Sequence, residues 1–270
     1  MRREVSVETG LRPLSARSVV LSLLLGAQPP ELPVRELVAL VEPFGIGGST
    51  LRAALSRMTA AGDLRCTDAV YGLSDRLLER RRRQDAALHP RTRAWTGDWE
   101  MAVITATGRP AAERAELRAE LTALRLAELR EGVWLRPATL LRPWPDRLHE
   151  VAHHFTTHPT APPRELAATL WPLREWKATG TALLRHTDRS TTPADRFTAF
   201  TAVVRHLLSD PVLPPDLLPP GWPGEALRAA YTEYRREFAS RLGEETGDSR
   251  DAGDATGAGR GREAEGVRQG

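Results

Sequence analysis

The chain has 270 residues, 41% of them hydrophobic and 27% charged, with a formal net charge of +3. That length allows two or three small domains with sizeable cores. Its single cysteine, Cys66, excludes an internal disulfide framework and suits a reducing cytosol, and no segment is long and apolar enough to span a bilayer. The charge is uneven. Residues 1–93 hold 15 arginines against 10 acids, and the remainder holds 23 basic against 25 acidic residues. The positive excess is modest and sits towards the amino end. Lys177 is the only lysine, which looks like a codon preference, so an arginine count overstates functional intent.

In chain order, Ser15 to Gly26 is the first predicted helix, with Ser15 as its N-cap, Val19, Val20, Leu23 and Leu24 as its apolar face, and Gly26 as its stop. Arg2, Arg3, Arg12 and Arg17 followed by Val19 to Leu25 superficially resemble a signal peptide. No small-residue cleavage site leads into a separate mature domain, so the segment is read as part of the fold. The second helix is Val34, Leu37, Val38, Leu40 and Val41, apolar at helical spacing. Pro43-Phe44-Gly45 and Gly47-Gly48 make the turn, and Ser49 is expected to cap a third helix running to Ala61. Gly62 ends that helix. Leu64 to Thr67 and Val70 to Leu73 then form two short strands around Asp68-Ala69, with Cys66 expected to fill space. Helix, tight turn, helix and ribbon is the sequence form of a winged helix-turn-helix.

In the third helix Leu51, Ala54, Leu55 and Met58 share one face, which packs on the second helix. Ser49, Thr50, Arg52, Ala53, Ser56 and Arg57 are the candidate DNA-contacting residues, joined by Arg17 on the first helix. An arginine such as Arg52 or Arg57 can clamp a guanine edge through two donors, and short hydroxyls suit phosphates or bases. The bland alternative is a solvated amphipathic helix. Arg80 to Arg83 form a run on a linker helix, read first as a solvated helix end.

Further on, Glu100 to Thr105 reads as a buried strand, Ala111 to Leu126 as a helix and Gly132 to Leu135 as a strand ended by Pro137. That strand-helix-strand order points to a ferredoxin-like α+β domain. Leu166 to Trp176, Pro193 to Ser209 and Glu225 to Leu242 read as helices with proline-rich joints. From about Gly243 large apolar residues almost vanish, so residues 244–270 are expected to be disordered. The expected division is a winged helix over 13–76, a linker helix over 77–94, a ferredoxin-like domain over 95–163, a helical C-terminal domain over 164–243 and the tail.

Several ordered pieces resemble one family. They are SARSVVLSLLLG at 15–26, PFGIGGSTLRAALSRMTAAG at 43–62, WTGDW at 95–99 and GVWLRP at 132–137. Leu170-Trp171-Pro172-Leu173 and DPVLPPDLLPPGWPG at 210–224 follow. Together they resemble the PaaX family of bacterial transcriptional repressors. The resemblance implies a winged helix, a ferredoxin-like centre and a helical C-terminal domain. It also implies a cytoplasmic homodimer on a palindromic DNA operator, released by a small effector such as an acyl-CoA thioester, with no cofactor and no catalysis. Two departures stand out. The wing tip is Asp68-Ala69, where relatives carry a basic tip, and an aspartate facing phosphates is repulsive. The segment before Asp210 offers Thr201, Arg205 and His206 where relatives often carry a histidine with paired basic residues. The effector therefore stays open, an acyl-CoA or an aromatic acid.

Candidate effector residues are Trp99, Trp134, Trp171, Arg136, Arg205 and His206. Tryptophans can stack on an aromatic ligand and the cations can balance an acid, although tryptophans at such positions are more often core packing. Trp176 and Trp222 belong to the same group. Three rival functions exist. His149-Glu150-Val-Ala-His153 matches the H-E-x-x-H pattern of zinc hydrolases, but flanking prolines leave room for only a short helix and no third ligand is evident. In the family frame this segment is the second helix of the central domain running into its last strand. A CRISPR-associated nuclease would need an acid at the end of the first central strand, where Thr105 to Gly108 offers none. A protein-binding adaptor, motivated by the acidic wing tip, is the third reading.

Overall fold

A computed structural model describes residues 15–27 and 29–255. Arg2, Arg3, Arg12 and the last part of the expected tail, residues 256–270, lie outside them. The chain divides into two compact units. One contains Arg12–Arg81, Thr192–Ala194 and Tyr231 onward, and the other contains Arg82–Thr191 and Asp195–Ala230.

The amino-terminal unit holds α1 (Ala16–Gly26), β1 (Glu31–Pro33), α2 (Val34–Val41), α3 (Gly48–Ala60), β2 (Leu64–Thr67) and β3 (Val70–Leu73). Its antiparallel sheet runs β1-β3-β2, the arrangement of a winged helix. Ser15 caps α1 as expected, its Oγ accepting from the Ser18 N–H at 3.2 Å. Gly26 lies inside α1 rather than beyond it. A Cβ there would stand 2.9 Å from the Phe238 ring, so its role is close packing rather than stopping. A single 3-10 turn, Glu42–Phe44, ends α2, and Gly45 at φ 68° makes the reversal in the left-handed region that favours glycine. Ser49 is not the cap of α3. The cap lies two residues earlier, at Gly47, with no capping side chain, which leaves Ser49 inside the first turn. Strand β1 was not expected, because three residues ending in proline carry no alternation. The wing hairpin is where the sequence placed it, with Asp68 and Ala69 both at positive φ, 50° and 61°. Two such residues make the mirror-image turn that matches strand twist.

Helix α4 (Asp75–Leu88) follows. The second unit is built on β4 (Trp99–Ile104), α5 (Ala111–Ala123), β5 (Ala127–Arg130), β6 (Val133–Pro137), α6 (Asp146–His149) and β7 (Ala152–Thr157). The sheet order β5-β6-β4-β7, antiparallel throughout, is ferredoxin-like, with the second helix reduced to one turn. Strand β6 runs through Pro137 instead of stopping before it, and β5 is an addition to the predicted elements. One face of the sheet sends Trp99 and Leu135 into a core with Leu166, Ala167, Leu173, Leu213 and Leu217. The other sends Ala102 and Trp134 against Leu117, Leu121 and Leu148.

Beyond lie α7 (Pro163–Leu170), α8 (Leu173–Arg189), α9 (Pro193–Leu207) and α10 (Gly224–Ala255). The predicted helix over 166–176 is really two. Trp171 is extended at φ −131° and ψ 144°, as expected of a residue that precedes proline. Helix α10 is drawn on into the first residues of the expected tail, 244–255. An anchored helix propagates through a polar segment at little cost once its nucleus exists.

Candidate nucleic-acid interface

Helix α3 is amphipathic by spacing alone. Leu51, Ala54, Leu55 and Met58 are at most 3% exposed and fix its inner face. That phase turns Ser49, Thr50, Arg52, Ala53, Ser56 and Arg57 outward, and all six are exposed. The structure thus gathers six of the seven candidate DNA contacts on one solvent-facing strip of one helix.

The seventh, Arg17, has a second engagement. Asp63, three residues after the end of α3, is only 3% exposed, and a buried carboxylate needs cationic partners. Arg17 Nη2 on α1 donates to Asp63 Oδ2 at 2.6 Å, and Arg76 on α4 donates to Oδ1. The hydrogen bond from Arg17, aided by the charges of both arginines, outweighs the effect of burial and holds the Asp63 carboxyl below its ordinary 3.8. This clamp ties the exit of α3 to two other helices. Sequence reasoning missed it, since nothing marks Asp63 off from the other acids. The Arg17 side chain remains 59% exposed, so part of its guanidinium still faces solvent.

The wing beside α3 is short. Asp68 and Ala69 are exposed at its tip. Cys66 is exposed as well, so it does not fill space. Arg65 on β2 approaches Asp75 at 3.8 Å, both well exposed.

The six effector candidates do not converge. Trp99 and Trp134 are buried on opposite faces of the central sheet, in separate cores. Trp171 packs on the Trp99 side. Arg136 is wholly buried beside Glu100, with its Nε 3.1 Å from Oε1. His206 stacks on Trp176 with ring centroids 4.1 Å apart, and Trp176 stacks on Trp222 at 4.3 Å. Burial lowers the His206 pKa, against a hydrogen bond to the Trp176 carbonyl and the charge of Asp210. Arg205 points to solvent. Trp99, Trp134, Trp176 and Arg136 therefore act first as packing.

The zinc pattern also dissolves. His149 ends the one-turn α6, while His153 lies on β7. The two histidines are not successive turns of one helix, which is what the metal-binding version of the motif requires. Among the described residues no group of three or more His, Cys, Asp or Glu side chains is placed to hold a metal. His154, the neighbour, instead lies 3.2 Å from Glu100 and stacks on Trp144 at 4.2 Å.

Comparison with known proteins is consistent between residues 15 and 244. The chain matches three family models in order: PaaX-like protein over residues 15–77, the PaaX protein central Cas2-like domain over 92–160, and the PaaX-like protein C-terminal domain over 164–244. Among solved structures it is similar to an uncharacterized protein from Mycobacterium tuberculosis, Rv0674. The two share 46% identity over 85% of this chain and 98% of that one, with a TM-score of 0.77. No curated protein matches it significantly. Among the described residues no helix is long and apolar enough to cross a membrane. With an amino-terminal unit, a Cas2-like centre and a helical carboxy-terminal part in the order that these matches follow, the chain belongs to the PaaX family, which comprises DNA-binding transcriptional regulators of phenylacetate catabolism.

Proposed function

We propose that the protein is a repressor that binds a double-stranded DNA operator as a homodimer, without catalysis, and leaves it when a small effector binds. The observation that carries this reading is the strip of α3, where Ser49, Thr50, Arg52, Ala53, Ser56 and Arg57 face solvent above a fully buried apolar side. A helix of 13 residues is about 20 Å long and fits a major groove roughly 12 Å wide. Arg52 and Arg57 read base edges, the hydroxyls of Ser49, Thr50 and Ser56 serve phosphates or bases, and Arg17 adds a contact from α1. Residues 13–76 thus form the reading domain and 77–94 the linker. Residues 95–163 and 164–243 carry dimerisation and the response to an acyl-CoA thioester or an aromatic acid. The site of action is the cytoplasm, where the operator lies.

Phosphate contacts dominate the affinity of such a protein, so binding falls steeply with salt. Half-sites of a palindrome should lie one helical turn, or a multiple, apart. A gel shift against the intergenic DNA upstream of its own gene tests the proposal. A discrete complex is expected, lost or weakened in the Arg52→Ala, Arg57→Ala double variant. No complex even in dilute buffer overturns it and favours the adaptor reading that the acidic wing tip suggests.

A further inference from the structure

A cavity of about 430 Å³ opens at one end of the central sheet. Glu100 of β4 and Thr156 of β7, directly paired across the ladder, form its floor. Arg93, Arg142 and His154 line it, and Leu140, Leu141 and Pro143 supply an apolar wall. Glu100 is the one carboxylate among the lining residues, and it is already shared. Arg142 Nη2 donates to it at 2.8 Å, and His154 Nε2 lies 3.2 Å away. On its other flank Arg136, its cross-strand partner on β6, brings Nε to 3.1 Å. Two guanidinium groups, Arg136 and Arg142, thus share one carboxylate, and Arg93, whose Nε donates to the Ala138 carbonyl at 2.9 Å, adds a third cation to the lining.

Backbone carbonyls satisfy part of these cations: Arg136 donates to those of Pro137 and Val212, and Arg142 Nη2 to that of Leu124 at 3.0 Å. Burial lowers the pKa of Arg142, opposed by Glu100. Arg142 Nε is buried and has no hydrogen-bond partner among the described residues, and an orphaned donor of this kind is costly. The Arg142 side chain keeps 17% of its surface exposed, and a planar guanidinium matches a carboxylate in shape as well as charge. The apolar wall beside it suits a ligand with a hydrocarbon body, and Leu141 is 47% exposed at that wall.

We propose that this cavity binds a small amphipathic carboxylate, its head against Arg142 and Arg93 and its body against Leu140, Leu141 and Pro143. As a place for the effector it rests on the proposed response of residues 95–163 to an aromatic acid, but binding is read without DNA, so a failure to bind operator leaves it standing.

Calorimetric titration of benzoate into the full-length protein tests it. Benzamide is the neutral isostere, and inorganic phosphate is an anion without an apolar body. Benzoate should bind once per chain with a dissociation constant in the millimolar range or tighter, and benzamide and phosphate at least about tenfold more weakly. Arg142→Gln should weaken benzoate about tenfold or more. Leu141→Glu, at a position 47% exposed, should weaken it about threefold through repulsion. Should R142Q fail to fold, L141E alone decides. Absence of benzoate binding, binding unchanged in L141E, or phosphate binding as tightly as benzoate would each overturn the proposal.

Discussion

Arg52 and Arg136 are one residue type in opposite surroundings. Arg52 stands in water on α3, keeps its hydration, and gains only when a phosphate or a base edge arrives. Arg136 is 0% exposed and has lost its water. Protein groups replace it: Glu100 at 3.1 Å, the Pro137 carbonyl at 3.0 Å and the Val212 carbonyl at 3.2 Å. Burial still pushes its pKa down to about 9, with Arg142 and Arg125 adding repulsion and Glu100 opposing, so it stays charged at neutral pH. Where arginine replaces nearly every lysine, burial separates Arg136, which the fold has taken up, from Arg52, which is left open to a partner.

The largest test of that contrast is Glu100→Ala. Removing the partner of a buried charge leaves Arg136 uncompensated and should cost about 3–5 kcal/mol of stability in the central unit. Chemical denaturation would show it as a lower midpoint. Next comes the reading helix. Arg52→Ala and Arg57→Ala should each weaken operator binding by about 1–3 kcal/mol if the arginine reads a base, while unfolding moves by less than about 0.5 kcal/mol because the side chains are solvated. If Arg52→Ala destabilised the protein as much as Glu100→Ala does, the distinction between docking and structural arginines would collapse.

How much of this was legible beforehand depends on which signal each element carries. The helix-turn-helix and its hairpin were readable because Leu51, Ala54, Leu55 and Met58 repeat at helical spacing and Asp68-Ala69 separates two short segments after the Gly62 stop. Once that phase is set, the outward positions follow with no further information. The central sheet was only partly readable. Strand β5 reads Ala-Glu-Leu-Arg, charged and short, because it lies at a sheet edge where its polar side chains meet water. Its pairing with β6 depends on residues elsewhere in the chain. The break at Trp171-Pro172 was readable in principle, since the residue before a proline avoids the helical region, but the apolar spacing of Leu166 to Trp176 runs straight across it. The Glu100 cluster was beyond reach. Glu100, Arg136, Arg142 and His154 come from three strands and a loop, and only the register that sets Glu100 opposite both Arg136 and Thr156 brings them together.

A smaller effect separates the two ends of α3. Asp63 holds its exit through Arg17 and Arg76. Because the folded carboxyl titrates below its ordinary 3.8, its stabilisation is complete above about pH 4 and is lost as pH falls through the folded value. Arg17 and Arg76 are 59% and 70% exposed, so screening trims the contribution to about 1 kcal/mol. Asp63→Asn should lower the melting temperature modestly at neutral pH and flatten its decline below about pH 4. An identical acid slope in both proteins would show that the clamp is not coupled to the fold.

The smallest expected effect lies at the wing tip, where charge is the whole question. Asp68 is exposed at φ 50°, and asparagine tolerates that conformation as well as aspartate does. Asp68→Asn therefore changes the charge and little else. If the wing approaches the DNA backbone beside α3, removing one repulsive charge should tighten operator binding by about 0.5 kcal/mol, roughly twofold, and the gain should fade as salt screens it. An unchanged affinity at low salt would mean that the wing tip stays away from the phosphates and that α3, with Arg17, makes the contact alone. The acid would then be neutral for DNA binding, and the shortened hairpin would serve only to close the sheet that supports the reading helix.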